Sequence, residues 1–153
     1  MAVSGAAVSG AVPMDVLALL AHRYPFLLVD RIVALDPGVR VVGVKRVTAD
    51  EWFMRGRADG VRAMPAPLVV EALAQTTGAL LLGMAGDPET MVAYFMGFDR
   101  VRARGGAEPG DELRLEVTLR QFKRGICRTH GRATVAGREV VRADMTTVVR
   151  SRS

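Results

Sequence analysis

One long apolar segment, from Met64 to Met84, constrains the fold of this chain more than any other feature. Prolines at its start suit a helix N-terminus, and apolar residues then fall on all sides of the predicted helix. A helix that is hydrophobic all round is normally enclosed by other structure. At about 1.5 Å per residue it is roughly 30 Å long, the diameter of a small domain. We therefore expect the rest of the chain to pack around this helix.

Glu71 is the exception within this apolar segment, and Gln75 follows it one turn later on the same helix face. An ionised carboxylate in an apolar setting is costly unless it is hydrogen-bonded or paired. The helix dipole, which favours negative charge near the N-terminus, offsets only part of that cost. We therefore expect Glu71 to be buried, with either a structural partner or a chemical role.

Length and composition predict one globular domain. The chain has 153 residues, half of them apolar, which is enough for a sizeable core. Residues 1–12 lack periodicity and are expected to form a flexible tail, which leaves 13–153 as the domain. Cys127 is the only cysteine, and no His/Cys cluster has metal-ligand spacing. We expect Cys127 to be a packing residue, the compartment to be a reducing cytoplasm, and no metal to be bound.

The net charge of +5 favours an acidic partner: nucleic acid, anionic lipid or an acidic carrier protein. An ordinary solvated surface explains the same charge. Nucleic acid is disfavoured because no helix-turn-helix, zinc finger or aromatic-interleaved basic strand is visible. The tail has no basic n-region, and the central helix carries Glu71 and Gln75, so we expect neither export nor membrane insertion.

The remaining pattern predicts an α+β fold. A short helix starts at Pro13 and ends before Pro25, and the loop 50–63 leads into the central helix. Gly86 to Pro88 is expected to end that helix in a turn. Strands are predicted by alternation and by flanking turns at 28–35, 39–47, 91–98, 113–119, 126–135 and 139–149, the last two joined by a tight turn at 136–138. The predicted architecture is an antiparallel sheet wrapped around one long central helix.

Three motifs resemble the FabZ-type (3R)-hydroxyacyl-acyl carrier protein dehydratases, which have the hotdog fold. They are His22 to Arg31 (HRYPFLLVDR), Met64-Pro65 leading into 70–75 (VEALAQ), and 95–99 (FMGFD) with Pro109-Gly110-Asp111. Weaker similarity continues through 125–143, and the whole resemblance spans about residues 14–149.

This resemblance implies dehydration of a β-hydroxyacyl chain on a phosphopantetheine arm, at a dimer interface where a His of one subunit faces a Glu of the other. The Glu corresponds to Glu71. The His belongs to a Gly-His-Phe-Pro-Gly loop, and counting back from Glu71 without a gap places Arg57 at its position, between the matching Gly56 and Gly60. Ala58 and Asp59 replace the Phe and Pro of that loop, and Ala66 replaces the Gly at the helix start.

The Arg57 substitution falls on the chemistry, because guanidinium is always protonated and cannot act as a base. Elimination needs a base with a pKa near the working pH to remove the proton α to the thioester. His22 and His130 are the only histidines; the first lies in the entrance motif and the second on a strand without a motif match. Asp59 is a weaker candidate base, since a turn or salt-bridge role explains it as well. A homodimer is therefore expected to be inactive alone.

The resemblance also implies a substrate-binding set: Tyr24, Met64, Gln75, Phe95 and Gly97. Five basic residues are candidates for docking an acidic acyl carrier protein, or else ordinary surface: Arg100, Arg102, Arg104, Lys123 and Arg124. For Arg57 itself, a solvent-facing loop position is an equal alternative to a role in the site. No cofactor is expected beyond the carrier's own phosphopantetheine.

Three functions remain open at this point. The first is a dehydratase subunit in fatty-acid or polyketide biosynthesis that forms a heterodimer with a His-bearing homologue and supplies Glu71 to it. The second is a non-catalytic homo-oligomer that binds acyl carrier protein. The third is another hotdog thioester activity, such as hydrolysis. The resemblance further implies a dimer with paired central helices and sheets joined edge to edge.

Overall fold

The protein is described here by a computed structural model that covers residues 14–56, 58–85 and 90–151. Its elements follow the predicted order of a short helix, two strands, a long helix and four strands. In chain order they are α1 (Val16–Leu19), β1 (Arg31–Asp36), β2 (Arg40–Arg46), a 3-10 helix (Trp52–Met54), α2 (Ala66–Ala85), β3 (Met91–Ala103), β4 (Glu112–Lys123), β5 (Ile126–Val135) and β6 (Arg138–Ser151). The expected tail at 1–12 and the turn at 86–88 lie outside the described residues.

The six strands form one antiparallel sheet in the order β1-β2-β4-β5-β6-β3. This order makes β1 and β3 the two edges of the sheet. The prediction of an antiparallel sheet around one long helix is confirmed. Within the described ranges, no helix is long and apolar enough to cross a membrane.

Helix α2 is buried against one face of the sheet, as its apolar composition predicts. Val69, Leu73 and Leu80 are fully enclosed. Two threonines are also buried, and each donates its hydroxyl to a carbonyl one turn earlier: Thr76 to Ala72 O at 2.8 Å and Thr77 to Leu73 O at 3.0 Å. This back-bonding satisfies the hydroxyls inside an apolar layer.

Glycines in the sheet allow α2 to approach closely. A Cβ atom at Gly131 would stand 3.3 Å from both terminal methyls of Leu73 and 2.8 Å from Met145 Cε. A Cβ at Gly43 would stand 3.0 Å from Thr76 Oγ1. A side chain at either position would force these neighbouring side chains to shift.

Several element boundaries differ from the sequence prediction. β1 begins at Arg31 and not at Leu28, because the Leu28 N–H is bonded to the Gln75 side chain and not to a neighbouring strand. β3 runs on to Ala103, because its charged second half still pairs with β6 beyond an irregularity after Asp99. The last hairpin turns on only two residues, Ala136 and Gly137, which both have positive φ, as a type I′ turn requires.

Candidate active site around Glu71

Gln75 fastens the central helix to the irregular segment that precedes β1. Its Oε1 accepts the backbone N–H of Leu28 at 2.9 Å, and its Nε2 donates to the carbonyl of Phe26 at 2.7 Å. The same Nε2 donates to Glu71 Oε1 at 2.9 Å. Since Gln75 is only 1% exposed, these bonds satisfy a side-chain amide that water does not reach. The expected face shared by Glu71 and Gln75 is therefore present, and it contacts residues 26–28.

Glu71 is less buried than the sequence predicted. Its side chain is 37% exposed in the single chain, and His22 Nε2 lies 3.7 Å from its Oε1. In this chain by itself the carboxylate is only partly buried, because the segment 22–28 covers only one side of the second turn of α2. A carboxyl group in this position is held by Gln75 and remains open to a small molecule.

His22 is the functional candidate that the sequence reasoning set aside. It lies 49 positions before Glu71 in the chain, so no local period connects the two residues. The Arg23 guanidinium holds the backbone around it: Nη1 donates to Leu20 O at 2.6 Å and to His22 O at 2.7 Å, and Nη2 donates to Leu17 O at 3.1 Å. The HRYPF motif thus places an imidazole beside the carboxylate.

Arg57, the residue at the expected base position, lies outside the described residues. The glycines on either side are described, and both have positive φ, 67° at Gly56 and 69° at Gly60, which favours glycine at these two positions. Asp59 Oδ1 accepts the N–H of Val61 at 3.1 Å. This turn contact agrees with the structural interpretation of Asp59.

The remaining substrate-binding candidates are spread over three elements. Met64 is buried at the start of α2, where its N–H donates to Ala107 O at 2.8 Å. Tyr24 projects into solvent, 86% exposed in the single chain.

The last two candidates, Phe95 and Gly97, lie on the edge strand β3. Phe95 is half-buried and stacks on Phe98 with ring centroids 5.6 Å apart, and Gly97 lies between these two residues in the chain. The described structure gathers only Gln75 of this set directly at Glu71.

Basic side chains line a groove on the sheet face opposite α2. The groove encloses about 780 Å³. We call it the arginine groove, and its basic members are Arg100, Arg102, Arg120, Arg128 and Arg142. Side chains alternate between the two faces of β5, which explains why these residues lie opposite α2. Arg128 and His130 face the groove, and the side chains next to them, Cys127 and Thr129, are buried. Of these five, only Arg100 and Arg102 were predicted from the sequence; the other three lie on solvent-facing positions of β4, β5 and β6, which the alternation of those strands indicates.

Asp144 is the ionic centre of the arginine groove. His130 donates from Nδ1 to Asp144 Oδ1 at 2.6 Å, and Arg100 Nε donates to Oδ2 at 2.5 Å. The His130 hydrogen bond is the largest of the causes that hold the pKa of Asp144 below its ordinary value, and Arg100 adds to it. Asp144 thereby neutralises part of the positive charge around it.

The five predicted docking residues are spread over strand ends, the β4–β5 turn and the arginine groove. Arg100 and Arg102 line the arginine groove, whereas Arg124 lies in the β4–β5 turn beside a separate cavity with Ile126 and Val148. Arg104 and Lys123 are exposed elsewhere at strand ends. The arginine groove and Glu71 are on opposite faces of the sheet, because Glu71 is carried by α2. A docking role for these five residues stays a prediction.

Other candidate chemistries find little support in the described ranges. No group of three or more His, Cys, Asp or Glu residues is arranged to hold a metal ion there. Cys127 is buried on β5, and burial raises the pKa of its thiol to about 11. A thiol with this pKa is a packing residue, as the sequence predicted, and a poor nucleophile.

Comparison with known proteins gives a consistent result. Residues 20–144 match the model of the FabA-like domain. The 3-hydroxyacyl-acyl-carrier-protein dehydratase FabZ of Syntrophotalea carbinolica is 44% identical over 140 residues, which cover 92% of this chain and 95% of the relative.

Two solved structures share the fold at low sequence identity. The dehydratase heterocomplex ApeI:P from Xenorhabdus doucetiae is 19% identical, with a TM-score of 0.72 over 88% of this chain and 90% of that one. A hot-dog-like protein from Thermanaerovibrio acidaminovorans, also 19% identical, has a TM-score of 0.62 over 76% of this chain and 84% of that one.

Proposed function

This chain belongs to the FabA-like family, in its FabZ-type branch, and we propose that it is a subunit of a 3-hydroxyacyl-acyl carrier protein dehydratase to which it supplies Glu71 as the acid. The observation that carries the proposal is the placement of this carboxyl group. Gln75 fixes one of its oxygens, and more than a third of the side chain is open to substrate. Fixed geometry and access are what a proton donor in an elimination needs.

The reaction divides the work between a base and an acid. The base removes the proton on the carbon next to the thioester, and the electrons of that C–H bond form the new double bond. The β-carbon–oxygen bond breaks, and the hydroxyl takes a proton from Glu71 and leaves as water. Arg57 cannot perform the first step, because a guanidinium holds its proton at any working pH.

We propose that a His-bearing homologue supplies the base, so that the active form is a heterodimer. The partner's His would then face Glu71 in one site, while Arg57 would face the partner's acid in the other. The second site is inactive as a dehydratase, although Arg57 is suited to neutralise a carboxylate or hold a carrier phosphate. The heteromeric dehydratase of similar fold from Xenorhabdus doucetiae supports this arrangement as a precedent.

The edge strand β3 supports an edge-to-edge dimer. It pairs with β6 alone among the described strands, and its exposed residues include Tyr94, Met96 and Phe98. An apolar strand with a free edge is a template for pairing with another chain. The same pairing suits either a heterodimer or a homodimer.

The substrate we propose is an acyl chain carried on an acyl carrier protein in the cytoplasm, in fatty-acid or polyketide synthesis. Carrier proteins are acidic, and this chain offers Arg104, Lys123, Arg124 and the arginine groove as positive surfaces. A non-catalytic binder would use the same surfaces, and so it is the alternative outcome of the test below. Hydrolysis of the thioester is the other alternative.

The test uses the chain co-expressed with a hotdog homologue whose loop has the His. Turnover of a β-hydroxyacyl carrier substrate is followed for Glu71→Gln in this chain and, separately, for the acid-to-amide change in the partner. The first variant should lose activity and the second should keep it. Glu108→Gln, an exposed carboxylate in a turn, is the matched control.

The reverse pattern, or full activity of this chain alone, would overturn the composite site. Carrier binding without turnover in every combination would favour the non-catalytic binder. Release of free thiol from the carrier would identify a thioesterase.

A further inference from the structure

His22 and Glu71 form a pair that the family resemblance did not predict for this chain. The imidazole Nε2 lies 3.7 Å from Glu71 Oε1, the same oxygen that accepts the Gln75 amide. Both side chains are partly open to solvent, 43% for His22 and 37% for Glu71. The pair therefore connects the carboxyl group to bulk water on one side of α2.

We propose that His22 returns a proton to Glu71 after each dehydration, as a positioning and relay residue that does not touch the substrate. This inference rests on the proposed role of Glu71 as the acid. Each dehydration leaves Glu71 as a carboxylate, and a carboxylate has no proton to give until one is returned to it. The returned proton needs a donor within reach, and the His22 imidazole, which can hold and give a proton, lies 3.7 Å from Glu71 Oε1.

The proton balance of one turnover can be written out. Dehydration leaves Glu71 as a carboxylate, the base protonated, and water as the product. The His22 imidazolium then transfers its Nε2 proton to Glu71 Oε1, and a proton from water or buffer restores the imidazolium through its exposed side. The base releases its own proton to solvent, so that no net proton is consumed.

The surroundings of His22 suit a relay. Gln75 keeps Glu71 Oε1 toward the segment 22–28, because its amide bonds both the carboxylate and the Phe26 carbonyl. Arg23 fixes the backbone on either side of the imidazole by its bonds to Leu20 O and His22 O. Only a small side-chain rotation separates 3.7 Å from hydrogen-bond distance, and such contacts often tighten in the substrate complex.

The experiment compares three variants of the active complex: His22→Gln, Glu71→Gln and Asp15→Asn. Asp15 caps α1 through the Leu17 N–H, and its amide keeps an oxygen that accepts this bond, so the variant removes a charge from the same segment without removing an imidazole. For His22→Gln we expect kcat to fall roughly a hundredfold at pH 7.5 with KM unchanged, the lower end of what a proton-transfer group contributes. Added imidazole should restore the rate of this variant. Lowering the pH should reduce the difference in kcat between this variant and the unchanged complex. Asp15→Asn should keep its rate and show no response to imidazole.

The possible results distinguish the proposal that His22 is a relay from the proposal that Glu71 is the acid of a dehydratase. If Glu71→Gln is inactive while His22→Gln matches the unchanged complex at every pH, the relay is wrong and the acid role stands. If His22→Gln loses rate but imidazole restores nothing, its role is structural and the relay is also wrong. If the chain alone turns over substrate and loses that activity in His22→Gln, then His22 is the base, and both the relay and the composite site are overturned.

Discussion

The backbone N–H of Leu28 donates to the side-chain oxygen of Gln75 at 2.9 Å, across 47 positions of sequence. This single bond ends strand pairing before β1 and ties the HRYPF segment to the central helix. Together with the Gln75 bond to Phe26 and the bonds of Arg23, it places His22 beside Glu71. The amide of Gln75 is the structural basis of the candidate site, and its loss is the first change to examine.

Gln75→Leu should destabilise the protein by about 2–4 kcal/mol, because it leaves the buried Leu28 N–H and the partly buried Phe26 carbonyl without their partner. The free energy of unfolding in urea measures this loss. Gln121→Leu, at an exposed position on β4, is the control and should change stability by less than about 0.5 kcal/mol. Equal changes in the free energy of unfolding for the two variants would show that the hydrogen bonds of Gln75 do not stabilise the protein.

Met96→Lys should convert the dimer to a monomer. Met96 is 68% exposed on the edge strand β3, and a charge there opposes edge-to-edge pairing. Size-exclusion chromatography with light scattering gives the native mass. Val39→Lys adds the same charge to the turn between β1 and β2, at the other edge of the sheet, and should leave the mass unchanged. A monomeric parent chain at micromolar concentration would contradict the interface.

Arg57→His alone should restore little dehydratase activity to a homodimer of this chain. Ala58, Asp59 and Ala66 also depart from the family loop, and misplacement of a catalytic group by about 1 Å costs on the order of a hundredfold in rate. The measurement is kcat/KM on a β-hydroxyacyl carrier substrate, beside a FabZ relative with the intact loop. Family-like turnover from the single change would prove the other three departures irrelevant.

The Cys127 thiol should react slowly with a disulfide reagent in the folded protein. Burial raises its pKa from 9.0 to about 11, so at pH 8 roughly one thiol in a thousand is ionised, against about one in ten for the unshifted group. The raised pKa also makes stability depend on pH. The contribution of this thiol to the free energy of unfolding is complete below pH 9.0 and is lost as the pH rises through about 11. The absorbance of the chromophore that the reagent releases, followed before and after unfolding in urea, measures the reaction rate of the thiol. Fast labelling of the folded chain would show that β5 opens readily.

The sequence by itself determined the elements and the family, because these depend on local patterns. The apolar run of α2 has no polar face to present to water, and so it had to be enclosed. Strict alternation over residues 113–119 fixed one buried and one solvent face for β4. Motif matches then identified Glu71 and Gln75 on one face of the helix and located the Arg57 substitution.

Only the tertiary structure decided what surrounds Glu71. The approach of His22, the bonds from Gln75 to Phe26 and Leu28, and the partial exposure of the carboxylate all join segments about 50 positions apart. The arginine groove likewise gathers side chains from β3, β4, β5 and β6. Contacts between such distant segments depend on strand register and on how closely the glycines let helix α2 approach the sheet. No local period in a sequence encodes either quantity.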